Sequence, residues 1–332
     1  MNLLIFEYIT GGGFNKQTLP AELAREGRLM LQAVLADFAA LGAVKLTVML
    51  DQRLADSFDT AHLNIAVISP EHHAEHEFAR LIGSADAVWV IAPECENILC
   101  HLCQQVEKQG KRLLTSPASA VAITGDKFKT YQRLSQHAIT TVPTQLAERA
   151  QFTAGEWLIK PRDGVGGMET RILPDRETFE HHVTRSPHFI IQPHLQGEKI
   201  SLCCLCKGGR SWLLSVNLQR FNMVDQHYQL AEIVVNHQPI TPEYQQVAAN
   251  IARALPDLWG YVGIDLIVTD TQILVLEINP RLTTSFAGLR AALGVNVADL
   301  VLQLINGEPI IAPAHSLPIT IKVTKHANHT RT

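Results

Sequence analysis

Charge is scarce in this sequence. Lysine, arginine, aspartate and glutamate make up 18% of 332 residues, against roughly 25% in ordinary soluble chains. Neither sign dominates: 28 basic and 32 acidic residues leave a net charge of −4. With no basic excess to neutralise a phosphate backbone, a nucleic-acid partner is not expected. Also missing is any apolar run approaching the roughly 18–20 residues that cross a bilayer, so no membrane role is expected. The opening Met1-Asn2-Leu3-Leu4-Ile5-Phe6-Glu7 has no basic stretch and meets an acid after four apolar side chains; it reads as a first strand, not a secretion signal. Repeats and low-complexity segments are absent. Hydrophobic side chains reach 46%, enough for a large core, which excludes disorder as the main character. The length suggests about two domains, or two and a small insert, in a cytoplasmic protein.

Six cysteines are present: Cys95, Cys100, Cys103, Cys203, Cys204 and Cys206. They read as reduced thiols. Cys100-His101-x-Cys103 has the spacing of a zinc ligand pair, but the second pair that closed zinc sites use is missing. Cys204 and its neighbours alternate with apolar residues and read as core or sheet-face side chains.

The first third alternates strand and helix. Strands are expected at Asn2–Tyr8, Val44–Leu50, Ile65–Ile68, Ala87–Ile91 and Arg112–Thr115, and helices at Pro20–Leu41, Glu71–Ile82 and Asn97–Gln109. Short apolar strands between helices imply a parallel sheet covered on both faces. Beyond Ser116-Pro117 the pattern changes. A helix over Lys127–Gln136 leads into a strand-rich stretch with strands near Trp157–Lys160, Glu169–Ile172, Phe189–Gln192, Ile200–Lys207, Ser211–Asn217 and Glu232–Asn236. A helix at Pro242–Leu255 precedes a hairpin, Tyr261–Thr269 and Gln272–Ile278, turning at Asp270-Thr271. Two helices, Phe286–Leu293 and Val297–Ile305, and a strand at Ile319–Val323 close the chain. The expected fold class is α/β plus α+β, divided as 1–115, 116–192 and 193–332.

Two constellations carry chemistry. In Leu158-Ile159-Lys160-Pro161-Arg162-Asp163-Gly164-Val165-Gly166-Gly167-Met168-Glu169 a strand delivers a lysine straight into a glycine-rich loop. Such glycines let backbone N–H groups turn towards an anion, and the lysine adds a point charge for phosphate. The alternative is a hairpin loop with an exposed lysine. The second is Gly263-Ile264-Asp265 with Leu276-Glu277-Ile278-Asn279-Pro280-Arg281. Glu277 and Asn279 share a face, and a turn at Asp270-Thr271 puts Asp265 roughly opposite Glu277. Two carboxylates and an amide make a hard-oxygen set suited to Mg²⁺ holding phosphates, and the strongly apolar flanks argue against a merely exposed polar face.

Taken in order, Asp126-Lys127, Ile159-Lys160-Pro161, Ile190-Ile191-Gln192-Pro193-His194-Leu195-Gln196-Gly197-Glu198, Asp265 and Glu277-Ile278-Asn279-Pro280-Arg281 resemble the ATP-grasp ligases, from about Thr115 to the C-terminal helices. The resemblance implies a leading α/β domain, a two-lobed ATP-grasp module, ATP and Mg²⁺ (or Mn²⁺). Its implied roles are Lys127 and Lys160 on the ATP phosphates, and Asp163 to Met168, with Gly164, Gly166 and Gly167, as a closing loop. Gln192 and the backbone near His194 would read adenine, and Glu198 the ribose. Asp265, Glu277 and Asn279 would be metal ligands, with Arg281 beside the phosphate and acyl centre; Arg281 and Lys160 are the implied catalytic pair. Two positions depart from the family pattern: Gln192 stands for the usual hinge acid, and Gly263 for an arginine two residues before the first metal acid.

The implied activity is ATP-dependent joining of a carboxylate to an amine through an acyl phosphate. Phe6-Glu7-Tyr8-Ile9-Thr10-Gly11-Gly12-Gly13-Phe14 is similar to the subgroup that joins glutamate to tyramine in methanofuran biosynthesis. Its backbone donors would hold a substrate carboxylate, or it is a tight strand-to-helix connection. A D-alanine–D-alanine-type or other amino-acid ligase, a non-catalytic ATP-binding sensor and an ATP-grasp kinase are the competing readings. His72-His73-x-x-His76 reads as a solvated helix face, Arg220 as a candidate substrate arginine, and Leu289 to Leu304 as core, with a homodimer face as the alternative.

Overall fold

The computed structural model describes residues 1–42, 44–164, 170–183, 188–224 and 227–323. The N-terminal sheet consists of β1 (Asn2–Glu7), β2 (Lys45–Asp51), β3 (Asn64–Ile68), β4 (Ala87–Ile91) and β5 (Arg112–Leu113), all parallel in the order β3-β2-β1-β4-β5. Helices α1 (Ala21–Ala39), α2 (Ala74–Ser84) and α3 (Ile98–Lys108) cover it. Alternation divides each strand between two cores. Leu3, Ile5, Trp89 and Ile91 face α1; Leu4, Phe6, Val88 and Val90 face α2 and α3. Strand order reverses at β1, and ligands of such sheets bind beyond the carboxyl ends at that point.

Helices α4 (Ala118–Thr124) and α5 (Lys127–Gln136) lead to a four-stranded antiparallel sheet of β6 (Gln145–Leu146), β7 (Trp157–Pro161), β8 (Arg171–Leu173) and β9 (Phe189–Pro193), in the order β6-β9-β7-β8. Helix α6 (Arg176–His182) closes it, with Phe179 against Trp157. The third sheet contains β10 (Glu198–Lys207), β11 (Arg210–Val224) and β12 (His227–Gln238). Beyond α7 (Pro242–Ala254) come β13 (Gly260–Val268), β14 (Ile273–Asn279), α8 (Phe286–Leu293), α9 (Val297–Asn306) and β15 (Ile319–Lys322). Its order is β14-β13-β10-β11-β12-β15, with every pair antiparallel.

Alternation again sorts β10. Ile200, Leu202, Cys204 and Cys206 pack on α7, while Cys203 and Leu205 join the core of α8, α9 and the N-terminal sheet. Phe286 on α8 meets both Tyr261 and Trp89 edge-on, with ring centroids 5.6 and 6.4 Å apart. Asp37 of α1 accepts from Val297 and Ala298 at 3.0 and 3.3 Å, satisfying N–H groups that open α9. The stretch Leu289 to Leu304 is therefore core.

Several expectations shift. The helix expected from Glu71 starts at Ala74, because the Ser69 N–H and hydroxyl bond the His72 ring in a tight turn. His72 therefore lies outside the helix and cannot share its face with His76. Strands β11 and β12 extend well past Ser211–Asn217 and Glu232–Asn236, since bulges at Val216/Leu218 and Arg220/Phe221 break the alternation that marks a strand. Short α4, α6 and β6 carry too few periods to be read from sequence. Glu169, the expected start of β8, lies outside the described residues.

Leu289 is fully buried in the shared core. Leu289→Ala should cost about 2–5 kcal/mol of unfolding free energy in urea denaturation, with the sedimentation coefficient unchanged. A changed oligomeric state at parental stability would instead make this stretch a subunit interface.

Candidate active site

A cleft opens between the four-stranded and six-stranded sheets. Leu158, Ile267 and Leu276 form apolar walls, and Phe221, Tyr228 and Leu230 of the β11–β12 hairpin close one side. Lys127, Lys160 and Lys199 reach in opposite Asp265 and Glu277.

The acids come from the hairpin. The β13–β14 register pairs Asp265 with Glu277 and Gly263 with Asn279. Asn279 donates to Asp265 Oδ2 at 3.0 Å, and Gln219 of β11 donates to Oδ1 at 3.0 Å. Burial, then the neighbouring Glu277 charge, push the Asp265 carboxyl well up. Burial would raise Glu277 as well, but Lys127 and Lys160 outweigh it and hold this carboxyl below its usual range. The Lys127 ammonium lies 3.4 Å from Glu277 Oε2 and also donates to the Gly164 carbonyl. Helix α5 aims it: Asp126 caps the helix, accepting from the N–H groups of Phe128 and Lys129 at 3.0 and 3.1 Å, and is pinned by Arg162 at 2.5 Å. Lys160 is only 7% exposed. Burial drives its pKa down to about 8, although Glu277 pulls it back up. Gly166 and Gly167, with the loop through Met168, lie outside the described residues.

At the hinge, Gln192 donates to the Thr144 hydroxyl at 2.9 Å, and that hydroxyl donates to the Val142 carbonyl at 2.9 Å. The Thr144 proton is thus committed, which fixes the Gln192 amide orientation. Its Oε1 is left buried without a partner, an acceptor that calls for a donor from a ligand. The His194 N–H is bonded to the Glu156 carbonyl at 2.9 Å. Its ring lies between Glu156 Oε2 at 2.8 Å and the Tyr228 hydroxyl at 2.6 Å.

Some residues lie elsewhere. Glu198 is exposed at the start of β10, on the α7 side, where its charge acts on Tyr244. Lys199 lines the cleft instead, since neighbours in a strand face opposite ways. That parity, counted back from Ser201 opposite Asp265, was the signal for Lys199. Arg220 is exposed and paired with Glu232 at 2.5 Å, while neighbouring Gln219 faces the acids. Glycine-run donors are also engaged: Thr10 N–H bonds Glu7 Oε2 at 2.6 Å, and Gly11 and Gly13 N–H bond the carbonyls of Glu7 and Tyr8 at 2.7 and 2.8 Å. The run is a tight connection around Glu7, whose pKa burial raises to about 7. Arg281 does not present an open fork. Its Nε and Nη2 donate to the two oxygens of Glu94 at 2.9 and 2.8 Å. Glu94 follows β4, and nothing local in the sequence marks it.

The donor set fits Mg²⁺ bound with phosphate. Among the described residues no three His, Cys, Asp or Glu side chains gather as metal ligands. Two carboxylates and an amide therefore need phosphate oxygens and water to complete the shell, as Mg²⁺ usually takes them. Three lysines against this acid pair leave positive charge in excess, as a polyphosphate requires.

Comparison with known proteins agrees with the geometry. Residues 124–285 match the ATP-grasp domain family, and residues 44–121 match the pre ATP-grasp 3 domain family. The chain belongs to the ATP-grasp ligases. This ligase is 28% identical over 322 residues to the tyramine–L-glutamate ligase of Methanocaldococcus fervens, covering 96% of this chain and 99% of the relative. The same enzyme of Methanocaldococcus jannaschii is 28% identical, covering 93% and 90%. A crystal structure of an ATP-grasp superfamily protein from Archaeoglobus fulgidus superposes with a TM-score of 0.75 at 25% identity, covering 97% of this chain and 92% of that one. The L-amino acid ligase of Bacillus licheniformis shares the fold, with a TM-score of 0.67 at 16% identity over 94% and 77%.

In this ATP-grasp ligase the glycine at 263 has a steric cause. A Cβ there would lie 2.5 Å from Thr283 Cγ2, so an arginine cannot enter. Gly263→Ala should therefore destabilise by about 1–3 kcal/mol in thermal or urea unfolding. Adding Thr283→Ser, which removes the methyl and keeps the hydroxyl facing Tyr261, should recover most of the loss. Equal stability of the single and double variants would contradict this packing.

Proposed function

We propose that the protein joins the γ-carboxylate of glutamate to an aromatic amine such as tyramine, with ATP converted to ADP and phosphate. The observation that carries the reading is the convergence of Lys127, Lys160 and Lys199 on Asp265, Glu277 and Asn279 in one apolar-walled cleft. Likeness to the two tyramine–L-glutamate ligases over nearly the whole chain supports the substrates, and a place in methanofuran-type cofactor biosynthesis rests on the same likeness.

A carboxylate is a poor electrophile, and transfer of the γ-phosphoryl group gives it a good leaving group. Attack by the amine on the acyl phosphate then forms the amide and releases phosphate. Positioning and charge neutralisation suffice for such a transfer. Lys127 and Lys160 hold the phosphates, and burial keeps Lys160 out of competing water. Lys199 adds charge along the same wall. Gln192 Oε1 accepts from the adenine amino group, the donor it lacks. Asp265, Glu277 and Asn279 hold the Mg²⁺ or Mn²⁺, which when bound neutralises the polyphosphate and polarises its terminal phosphoryl group. Leu158, Ile267 and Leu276 sandwich the base and keep water from that end of the cleft.

The deciding assay mixes protein, ATP, Mg²⁺ and glutamate with either tyramine or alanine. A γ-glutamyl-tyramine mass with equimolar ADP is the expected result. ADP release with alanine but with no aromatic amine would replace the proposed acceptor by a small amino acid.

Lys160→Ala should lower ATP affinity and turnover roughly ten- to hundredfold, because a charge-assisted contact is worth about 1.5–3 kcal/mol. Calorimetric titration and initial rates check it, and parental values would remove Lys160 from the site. Glu277→Gln and Asn279→Ala should raise the Mg²⁺ and Mn²⁺ concentrations needed for half-maximal rate while changing the melting temperature little. Unchanged metal dependence in both would place the metal elsewhere.

A further inference from the structure

Between β4 and α3 the chain makes two contacts onto the ATP-grasp module. Glu94 grips Arg281 through two parallel hydrogen bonds, and the Glu96 N–H donates to Asp163 Oδ2 at 2.9 Å, at the root of the glycine loop. Two successive non-glycine residues here, Glu96 and Asn97, hold left-handed backbone angles, φ 53° and 58°. Such a conformation persists only where its surroundings enforce it, and it marks functional connections.

The Glu94–Arg281 pair is nearly dry, with side chains 6% and 13% exposed. Bidentate geometry fixes the guanidinium plane as well as its position. Of the five N–H donors of an arginine, three are engaged, on Nε, Nη1 and Nη2, with the third contact going to the Leu282 carbonyl at 3.0 Å. Three further carboxylates attract this guanidinium, Glu277, Glu26 and Glu7. Glu7 is engaged by the Thr10 N–H and hydroxyl, both at 2.6 Å. Glu26 is engaged by the Thr284 hydroxyl at 2.6 Å. Glu277 belongs to the cleft, facing Lys127 and Asp265.

We propose that Glu94 is a positioning residue: its fork holds Arg281 off Glu277, leaving that carboxylate to the metal and the remaining N–H donors of Arg281 to the anionic substrate. The inference rests on the metal role given above to Glu277. Without the Glu94 charge, the buried guanidinium is left to the attraction of Glu277, and competes with the metal, as Lys127 already does, for that carboxylate. The N-terminal domain thus sets the metal readiness of the ATP-grasp module from a residue outside the cleft.

The test is ADP binding by isothermal titration calorimetry, with and without 5 mM Mg²⁺, on the full-length protein. Glu94→Gln should weaken ADP binding about tenfold in Mg²⁺ and leave metal-free binding as in the parent, while Glu94→Asp recovers part of the loss. The double variant Glu94→Gln/Arg281→Ala should return to the parental Mg²⁺ effect, since nothing remains to capture Glu277. A merely structural role would weaken ADP binding with and without Mg²⁺ alike, so the unchanged metal-free binding separates the two. Parental binding in Glu94→Gln, or a double variant as weak as the single one, overturns the proposal alone. If Glu277→Gln itself leaves the Mg²⁺ effect unchanged, the metal role of Glu277 falls and the proposal falls with it.

Discussion

The site depends on a charge imbalance kept out of water. Three lysines project into a cleft with apolar walls, and opposite them stand two carboxylates close enough to disturb one another's ionisation. At the low effective dielectric of such a place, like charges repel strongly and unlike charges attract strongly. Lys127 and Lys160 stabilise Glu277 as an anion, and burial together with Glu277 disfavours the charge on Asp265. The arrangement is balanced only when a polyanion lies on the lysines and a cation between the acids. On the reading proposed above a metal–polyphosphate pair supplies both charges, and the proposed chemistry follows from where that pair would lie.

Each charge arrives on a different element, so the three sheets must be held in register. Lys160 rides β7, Lys199 rides β10, and the acids ride the β13–β14 hairpin, while a capped helix end aims Lys127. Helices α8 and α9 bind the assembly. They pack between the six-stranded sheet and α1 of the N-terminal sheet, with Phe286 touching aromatic rings on both sides. The switch point of the N-terminal sheet consequently faces the end of β14, and Glu94 meets Arg281 there.

How far this was legible in the sequence follows from how local each signal is. Asp265, Glu277 and Asn279 could be brought together because a short hairpin turn joins their strands and a period of two puts Glu277 and Asn279 on one face; counted strictly from that turn Asp265 falls opposite Leu276, and a bulge between Asp265 and Leu266 shifts the ladder by one to pair it with Glu277. The parallel sheet and its helices were legible as short continuous apolar runs between segments of helical spacing. Parity was available for Lys199 too, but the family pattern drew attention to Glu198 beside it. Gln219, Phe221 and Tyr228 were hidden, because bulges in the β11–β12 ladder break the alternation that would have extended those strands. Glu94 could not be found at all: its partner is 187 residues away, and no local pattern marks such a pairing. The glycine run after β1 was legible as a constrained turn but not in its use, since its donors serve Glu7 and Tyr8.

The central claim is that phosphate is transferred to the carboxylate before the amine attacks. Glutamate carrying ¹⁸O in its γ-carboxylate tests this directly. With ATP, Mg²⁺ and tyramine, the account predicts that each amide formed is accompanied by one inorganic phosphate bearing a single ¹⁸O. Amide formation accompanied by unlabelled phosphate would contradict it.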